Sequence, residues 1–369
     1  MNFKELEISD NLINVLTKSG INTPTPIQEE SIPYIKEGKD IIAEAQTGTG
    51  KTLAFLLPLF ENISLDDNFT QGLIITPTRE LAIQITDVAN KLKSGKDINI
   101  LAAYGGKDIG SQIKKLKKSI HLIIATPGRL LDHLKGGTID ISKLKTLVID
   151  EADQMLLMGF KTDIEDIITQ TPKKHQTLFF SATMDPQVKK LGYRFLSDPI
   201  VISIKKEEIT LTNIKQEVVE TTDRRKQDAL CTVLNEDNPF MAVIFCRTKR
   251  RADVLEVALY QKGYDCVKIH SDVPQPKRER IMKDFRNAKI QYLIATDVAA
   301  RGLDISGVSH IYNYDIPENA ETYIHRIGRT GRAGEQGYTC LFLDPKNNEL
   351  LDEIESKIKL KIPKRIVNS

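Results

Sequence analysis

Short apolar runs rich in Val, Ile and Leu recur along the chain and alternate with amphipathic stretches. In the first half they read "DIIAEA", "GLIITP", "INILAAY", "HLIIATP", "TLVIDEA" and "QTLFFSAT", each closing on a small or polar cluster. Each precedes a stretch with helical character, such as "KTLAFLLPLFENI" or "RELAIQITDVANKLK". Strands that are apolar on both faces and separated by helices predict a parallel sheet covered on both sides. The pattern pauses in the polar, charged segment "SIKKEEITLTNIKQ" and restarts with "MAVIFCRT", "YDCVKIHS", "QYLIATD", "HIYNYDIP" and "GYTCLFLD". The predicted fold class is α/β in two domains of similar architecture, residues 1–204 and 216–369, joined by a linker over 205–215. In such sheets ligands bind beyond the carboxyl ends of the strands, where the polar clusters fall.

The length of 369 residues suits two domains at roughly 150 residues each. With 40% hydrophobic and 28% charged residues and no low-complexity tract, the chain reads as soluble and globular. Its 52 basic against 50 acidic side chains exclude a general polycation, so a polyanion has to be held by local placement. Cys231, Cys246, Cys266 and Cys340 form no CxxC pair, which argues against zinc ribbons and a disulfide framework and for a reducing compartment. No signal region opens the chain and no apolar run reaches the roughly 18 residues of a membrane span, so the expected location is the cytoplasm.

The loop "AEAQTGTGKT", Ala43 to Thr52, follows a strand and opens a helix. Gly48 and Gly50 let backbone amides turn toward phosphate oxygens, and the helix start adds its positive end. Lys51 suits the β and γ phosphates of ATP and the Thr52 hydroxyl suits Mg²⁺, which makes this a P-loop with Ala45 in place of its first glycine. Asp150, at the end of "TLVID", would reach the magnesium through water, and Glu151 would orient or deprotonate the attacking water. On its own, such an acidic cluster reads as a solvated turn or helix start.

The ordered set of motifs resembles the DEAD-box ATP-dependent RNA helicases of helicase superfamily 2. It comprises "TPTPIQ", "AQTGTGKT", "PTRELA", "GG", "TPGR", "DEAD" at 150–153, "SAT", "VIFCRT", "QPKR", "ATDVAARGLD" and "HRIGRTGR". The resemblance covers almost the whole chain and implies two tandem RecA-like domains of the P-loop NTPase type. It implies that Gln28 reads adenine with its amide, and that Ala45, Gln46, Thr47, Gly48, Thr49, Gly50, Lys51 and Thr52 hold the phosphates. Asp304 would take the ribose hydroxyls, while Arg329 and Arg332 would be arginine fingers on the γ-phosphate. Asp153, Ser181, Thr183, His325 and Arg326 would couple the two domains, which surround ATP only on closing. Phe3 matches the aromatic that supports the Gln28 segment, and reads equally as a core anchor. Asp153 reads equally as a helix cap.

The resemblance also implies a sequence-nonspecific RNA backbone track. Pro77, Thr78, Arg79, Gly106, Thr126, Gly128 and Arg129 would supply it in the first domain; Thr248, Gln275, Arg278, Thr296 and Asp297 would do so in the second. Each threonine singly also reads as a helix cap. The helix carrying "LLDHLKGG" corresponds to the element that bends the strand. The implied activity is RNA-stimulated ATP hydrolysis coupled to domain closure and local duplex unwinding, with an ATP-dependent RNA clamp or assembly scaffold as the alternative. Ile21, Ser271, Pro274 and Pro276 depart from the family pattern, and the proline pair is expected to stiffen its turn.

Overall fold

The structure is a computed structural model that describes residues 1–46, 48–106, 119–184, 186–204, 213–300, 308–331 and 336–367. Of the expected site, Thr47, Asp304 and Arg332 lie outside the described residues, as does 205–212 of the expected linker. The chain divides into two units, Met1–Lys206 and Glu207–Ser369.

The first unit is built on a 7-stranded sheet of β1 (Ile41–Glu44), β2 (Gly72–Ile75), β3 (Ile100–Ala103), β4 (Leu122–Ala125), β5 (Thr146–Ile149), β6 (Gln176–Ser181) and β7 (Ile200–Ser203). Every pairing is parallel, in the order β3-β4-β2-β5-β6-β1-β7. Because successive side chains of a strand face opposite ways, β5 feeds two cores at once. Val148 joins the layer with Ile74, Ile124, Leu178 and Phe180, whereas Leu147 and Ile149 join Leu73, Ile75, Ile123 and Phe179 on the other face. The helix Lys51–Asn62 covers the first face, where Phe55 meets Phe180 edge-on at 5.4 Å between ring centroids. Phe3 is buried in this same layer with Ile27, and Ile21 packs against it.

The second unit has a 6-stranded parallel sheet of β8 (Ile214–Glu220), β9 (Ala242–Cys246), β10 (Cys266–Ile269), β11 (Tyr292–Thr296), β12 (His310–Asn313) and β13 (Gly337–Leu343), ordered β10-β11-β9-β12-β13-β8. β8 begins at Ile214, inside the stretch expected to be linker. β8 does not stand out as an apolar run, because charged residues interrupt it, while β7 is a short apolar run of which only Ile202 is buried. On the free side of β8 the segment 363–365 pairs with one residue: Val218 N donates to the Pro363 carbonyl at 3.0 Å, and Arg365 N donates to the Val218 carbonyl at 2.8 Å.

Candidate functional site

In the first unit β1, β6 and β5 are neighbours in that order, so the segments that follow them share one stretch of the sheet's carboxyl edge. Ala45 N, just past β1, donates to the Ser181 carbonyl at 3.0 Å and fastens the P-loop to β6. Gly48 and Gly50 take φ of +89° and +94°, left-handed values that favour glycine. Gly50 also has no room for a side chain, since a Cβ there would lie 2.5 Å from Gln28 Nε2 and 2.8 Å from Thr25 Oγ1. Lys51 is buried, and its Nζ donates to the Ala45 carbonyl at 2.6 Å across the loop.

Gln28 holds this loop from outside. Its Nε2 donates to the Gly50 carbonyl at 3.0 Å and its Oε1 accepts from Thr25 N at 3.1 Å. The second bond belongs to a capping box that starts the helix Pro26–Lys36. The amide therefore donates and accepts at once, with both partners inside the protein. The Thr25-x-x-Gln28 spacing was the sequence signal for this cap.

Asp150 follows β5 with its backbone N–H on the Ile75 carbonyl, and its buried Oδ1 accepts from Glu151 N at 3.0 Å. Burial pushes its carboxyl pKa up; the charge of Lys51 opposes this and that of Asp153 reinforces it. Glu151 sits in the left-handed region at φ +52°, immediately before the helix Ala152–Leu157. A non-glycine residue there carries local strain of about 1–2 kcal/mol. Asp153 N donates to Ser181 Oγ at 3.3 Å, Thr183 Oγ1 donates to Asp153 Oδ2 at 3.2 Å, and Ser181 Oγ donates to the Thr183 carbonyl at 2.7 Å. Asp153 and "SAT" are thus joined by a closed set of bonds. Asp153 Oδ1 is buried and has no hydrogen-bond partner among the described residues.

The other half of the same edge carries the first half of the expected RNA track, at the ends of β3, β4 and β2. Thr78, next to buried Pro77, caps the helix Arg79–Leu92 by accepting from Leu81 N at 3.2 Å. Arg79 is exposed and lies against Gly105, where a Cβ would come within 2.8 Å of Nη2. Gly106 takes φ +85°. Thr126 precedes the helix Pro127–Lys135 without a side-chain cap bond, Gly128 is exposed, and the largely buried Arg129 approaches Asp132 at 3.5 Å.

In the second unit the remaining track residues follow β10, β11 and β9, again three neighbours. Thr248 caps the helix Lys249–Gln261 by accepting from Arg251 N at 3.2 Å. Gln275 opens the helix Gln275–Arg286; its Nε2 reaches Glu279 Oε1 at 3.4 Å, while its buried Oε1 has no hydrogen-bond partner among the described residues. Pro274 is the cap residue and Pro276 falls in the first turn, where a missing N–H costs nothing, so the pair fits this start. Arg278 and Thr296 are buried beside it, and Ser271 is exposed.

One pairing escaped the sequence. Arg326, expected to couple the domains, is buried within its own unit: Nε and Nη2 donate to Asp297 Oδ1 and Oδ2 at 2.6 and 2.7 Å, and Nη1 donates to Asn313 Oδ1 at 3.0 Å and the Asp315 carbonyl at 2.8 Å. Its guanidinium lies 4.9 Å from the Phe245 ring centroid. Asp297, expected on the RNA, has its carboxylate in this bidentate pair. The pair ties the end of β11 to the helix Ala320–Ile327, and His325 and Arg329 line a small depression beside it with Thr322 and Ala300.

All four cysteines are buried free thiols, and among the described residues no His, Cys, Asp and Glu group could form a metal cluster and no helix is long and apolar enough to cross a membrane. Residues 25–191 match the family model of the DEAD/DEAH box helicase, and residues 225–334 that of the helicase conserved C-terminal domain. The ATP-dependent RNA helicase CshA of Limosilactobacillus reuteri is 48% identical over 362 residues, 98% of this chain and 73% of that protein. The DEAD-box ATP-dependent RNA helicase CshA of Bacillus subtilis is 46% identical over 98% of this chain and 73% of its own length. Among solved structures, S. cerevisiae Dbp5 bound to RNA and ADP BeF3 is 30% identical with a TM-score of 0.90, covering 98% of this chain and 95% of that one. Mss116p bound to ssRNA and AMP-PNP is 29% identical with a TM-score of 0.88, covering 99% and 79%.

Proposed function

The chain belongs to the DEAD-box family of ATP-dependent RNA helicases, and from that premise we propose how its residues divide the work. The observation that carries the reading is the partition of the first sheet's carboxyl edge: P-loop, "SAT" and acids follow β1, β6 and β5, while "PTRELA", "GG" and "TPGR" follow β2, β3 and β4. ATP is bound and hydrolysed on one half, and the RNA backbone is held on the other.

In this reading Lys51 leaves the Ala45 carbonyl for the β and γ phosphates, to which the amides of Gly48 to Thr52 also turn. Gln28 exchanges its bonds to Gly50 and Thr25 for the adenine edge, which makes the loop responsive to the base bound. Glu151 accepts the proton of the attacking water; its left-handed backbone sets the direction of its carboxylate. A buried carboxylate at Asp150 with the Thr52 hydroxyl near the same loop is a donor set suited to Mg²⁺. Bound there, the ion would neutralise phosphate charge. Arg329 and Arg332 add donors to the γ-phosphate as the domains close, and Asp153 Oδ1, without a hydrogen-bond partner among the described residues, is the acceptor to which His325 would couple. Buried free thiols support residence in a reducing compartment, the cytoplasm.

The direct test is ATP turnover with RNA, with DNA and without polymer, together with duplex strand release in ATP or a non-hydrolysable analogue. RNA-specific stimulation and hydrolysis-dependent release are expected. Equal rates with and without RNA would overturn the reading.

A further inference from the structure

Beyond the motif residues, the second unit carries an exposed basic face organised around a buried carboxylate. Asp315, just past β12 and 6% exposed, accepts from Arg247 N at 3.0 Å and forms ion pairs with Arg251 at 2.9 Å and Lys226 at 3.6 Å. Asp223 meets the same Lys226 and Arg251 at 3.3 Å each. The two cations also lie over the Tyr314 ring, at 5.7 and 5.5 Å from its centroid. These contacts join two loops at the carboxyl edge, 222–226 after β8 and 247–251 after β9, although β12 and β13 separate their strands.

Both acids of this cluster are matched by cations, so the remaining arginines stand as surplus positive charge. Arg224 and Arg225 are exposed and form no ion pair among the described residues. Arg247 is exposed too, with Nη2 on the Ile316 carbonyl at 3.1 Å. Thr248 lies between the Asp315-bound amide of Arg247 and the helix it caps, and since its oxygen accepts from Arg251 N, its hydroxyl proton remains available for a phosphate oxygen.

We propose that Arg224, Arg225 and Arg247 form an additional RNA-backbone subsite, which prolongs the track from Thr248 across the face ordered by Asp315 and takes the phosphates of single-stranded RNA. The proposal rests on the reading of Thr248 as an RNA contact. Guanidinium groups suit it, being always charged and able to give two parallel bonds to one phosphate. Continuity with Thr248 favours a polynucleotide over an acidic protein.

The full chain with Arg224→Ala and Arg225→Ala is compared with the parent for binding short and long single-stranded oligouridine, in a non-hydrolysable ATP analogue, over a range of salt. The parent should gain affinity with length and the variant should lose that gain while binding the short oligomer normally. Two lost phosphate contacts lower the slope of log affinity against log salt by about 1.4, so between about 50 and 200 mM salt the parent weakens about sevenfold more than the variant. An unchanged slope and an unchanged length dependence would overturn the subsite. Loss of polyglutamate binding with RNA binding intact would assign the face to an acidic protein and overturn it as well. A parent whose ATP turnover ignores RNA would sink the underlying reading instead.

Discussion

At the scale of single residues, the loop glycines and the acids have opposite freedoms. Gly50 is held to glycine by its φ of +94° and by Gln28 and Thr25, which leave no room for a Cβ. Gly50→Ala should strain the loop by about 1–2 kcal/mol and push Gln28 from its carbonyl, weakening nucleotide binding in a fluorescent-nucleotide titration. Glu151→Gln keeps the shape and the helix start but removes the base; nucleotide binding should persist while single-turnover hydrolysis falls by about 10²–10⁴. A variant hydrolysing at the parent rate would refute the water-activating role. These residues were legible because a P-loop and a strand-end acid are local patterns. The Arg326–Asp297 pair was not, since its partners are 29 residues apart and only the folded end of β11 brings them together. The Asp315 cluster was hidden for the same reason.

At the scale of elements, the two strands missed from sequence, β7 and β8, lie at sheet edges, but so do β3 and β10, which were found from their apolar runs. β8 keeps one polar face, so its sequence looks like a charged linker: Lys215, Glu217 and Glu220 are its outward positions or its end. Arg326 ties the helix Ala320–Ile327, itself capped by Asn319 and packed through Tyr323 and Ile327, to the end of β11. Arg326→Ala leaves the Asp297 carboxylate without its partner, and the expected loss is about 3–5 kcal/mol in denaturant unfolding of the second unit. The 222–226 loop has its own pH signature. The hydrogen bond from Lys346, aided by Lys226 and Arg251, holds Asp223 down at about 2 from its ordinary 3.8. A depressed carboxyl stabilises the fold fully above 3.8, and that contribution is lost as pH falls toward about 2. Asp223→Asn should therefore flatten the acid limb of unfolding in that window; an unchanged limb would show that the pairing adds nothing.

At the scale of the whole molecule, each unit holds its own cores, two layers of apolar side chains around the first sheet and three clusters in the second. The P-loop belongs to the first alone. Scanning calorimetry with ATP present at about a hundred times its Kd should raise the transition of that unit by about 2.7 kcal/mol of binding linkage. The same scan with Arg326→Ala should lower the other transition. The short basic segment after the helix Asn348–Ile358 has a different bearing. Its residues 363–365 pair with Val218 in the middle of the outer side of β8, where the strand would otherwise present open backbone donors and acceptors. Shortening the chain before Pro363 should turn that row into a template for neighbouring molecules, and light scattering should then rise with protein concentration and time. In that case residues 363–365 act as a guard against self-aggregation at the middle of β8.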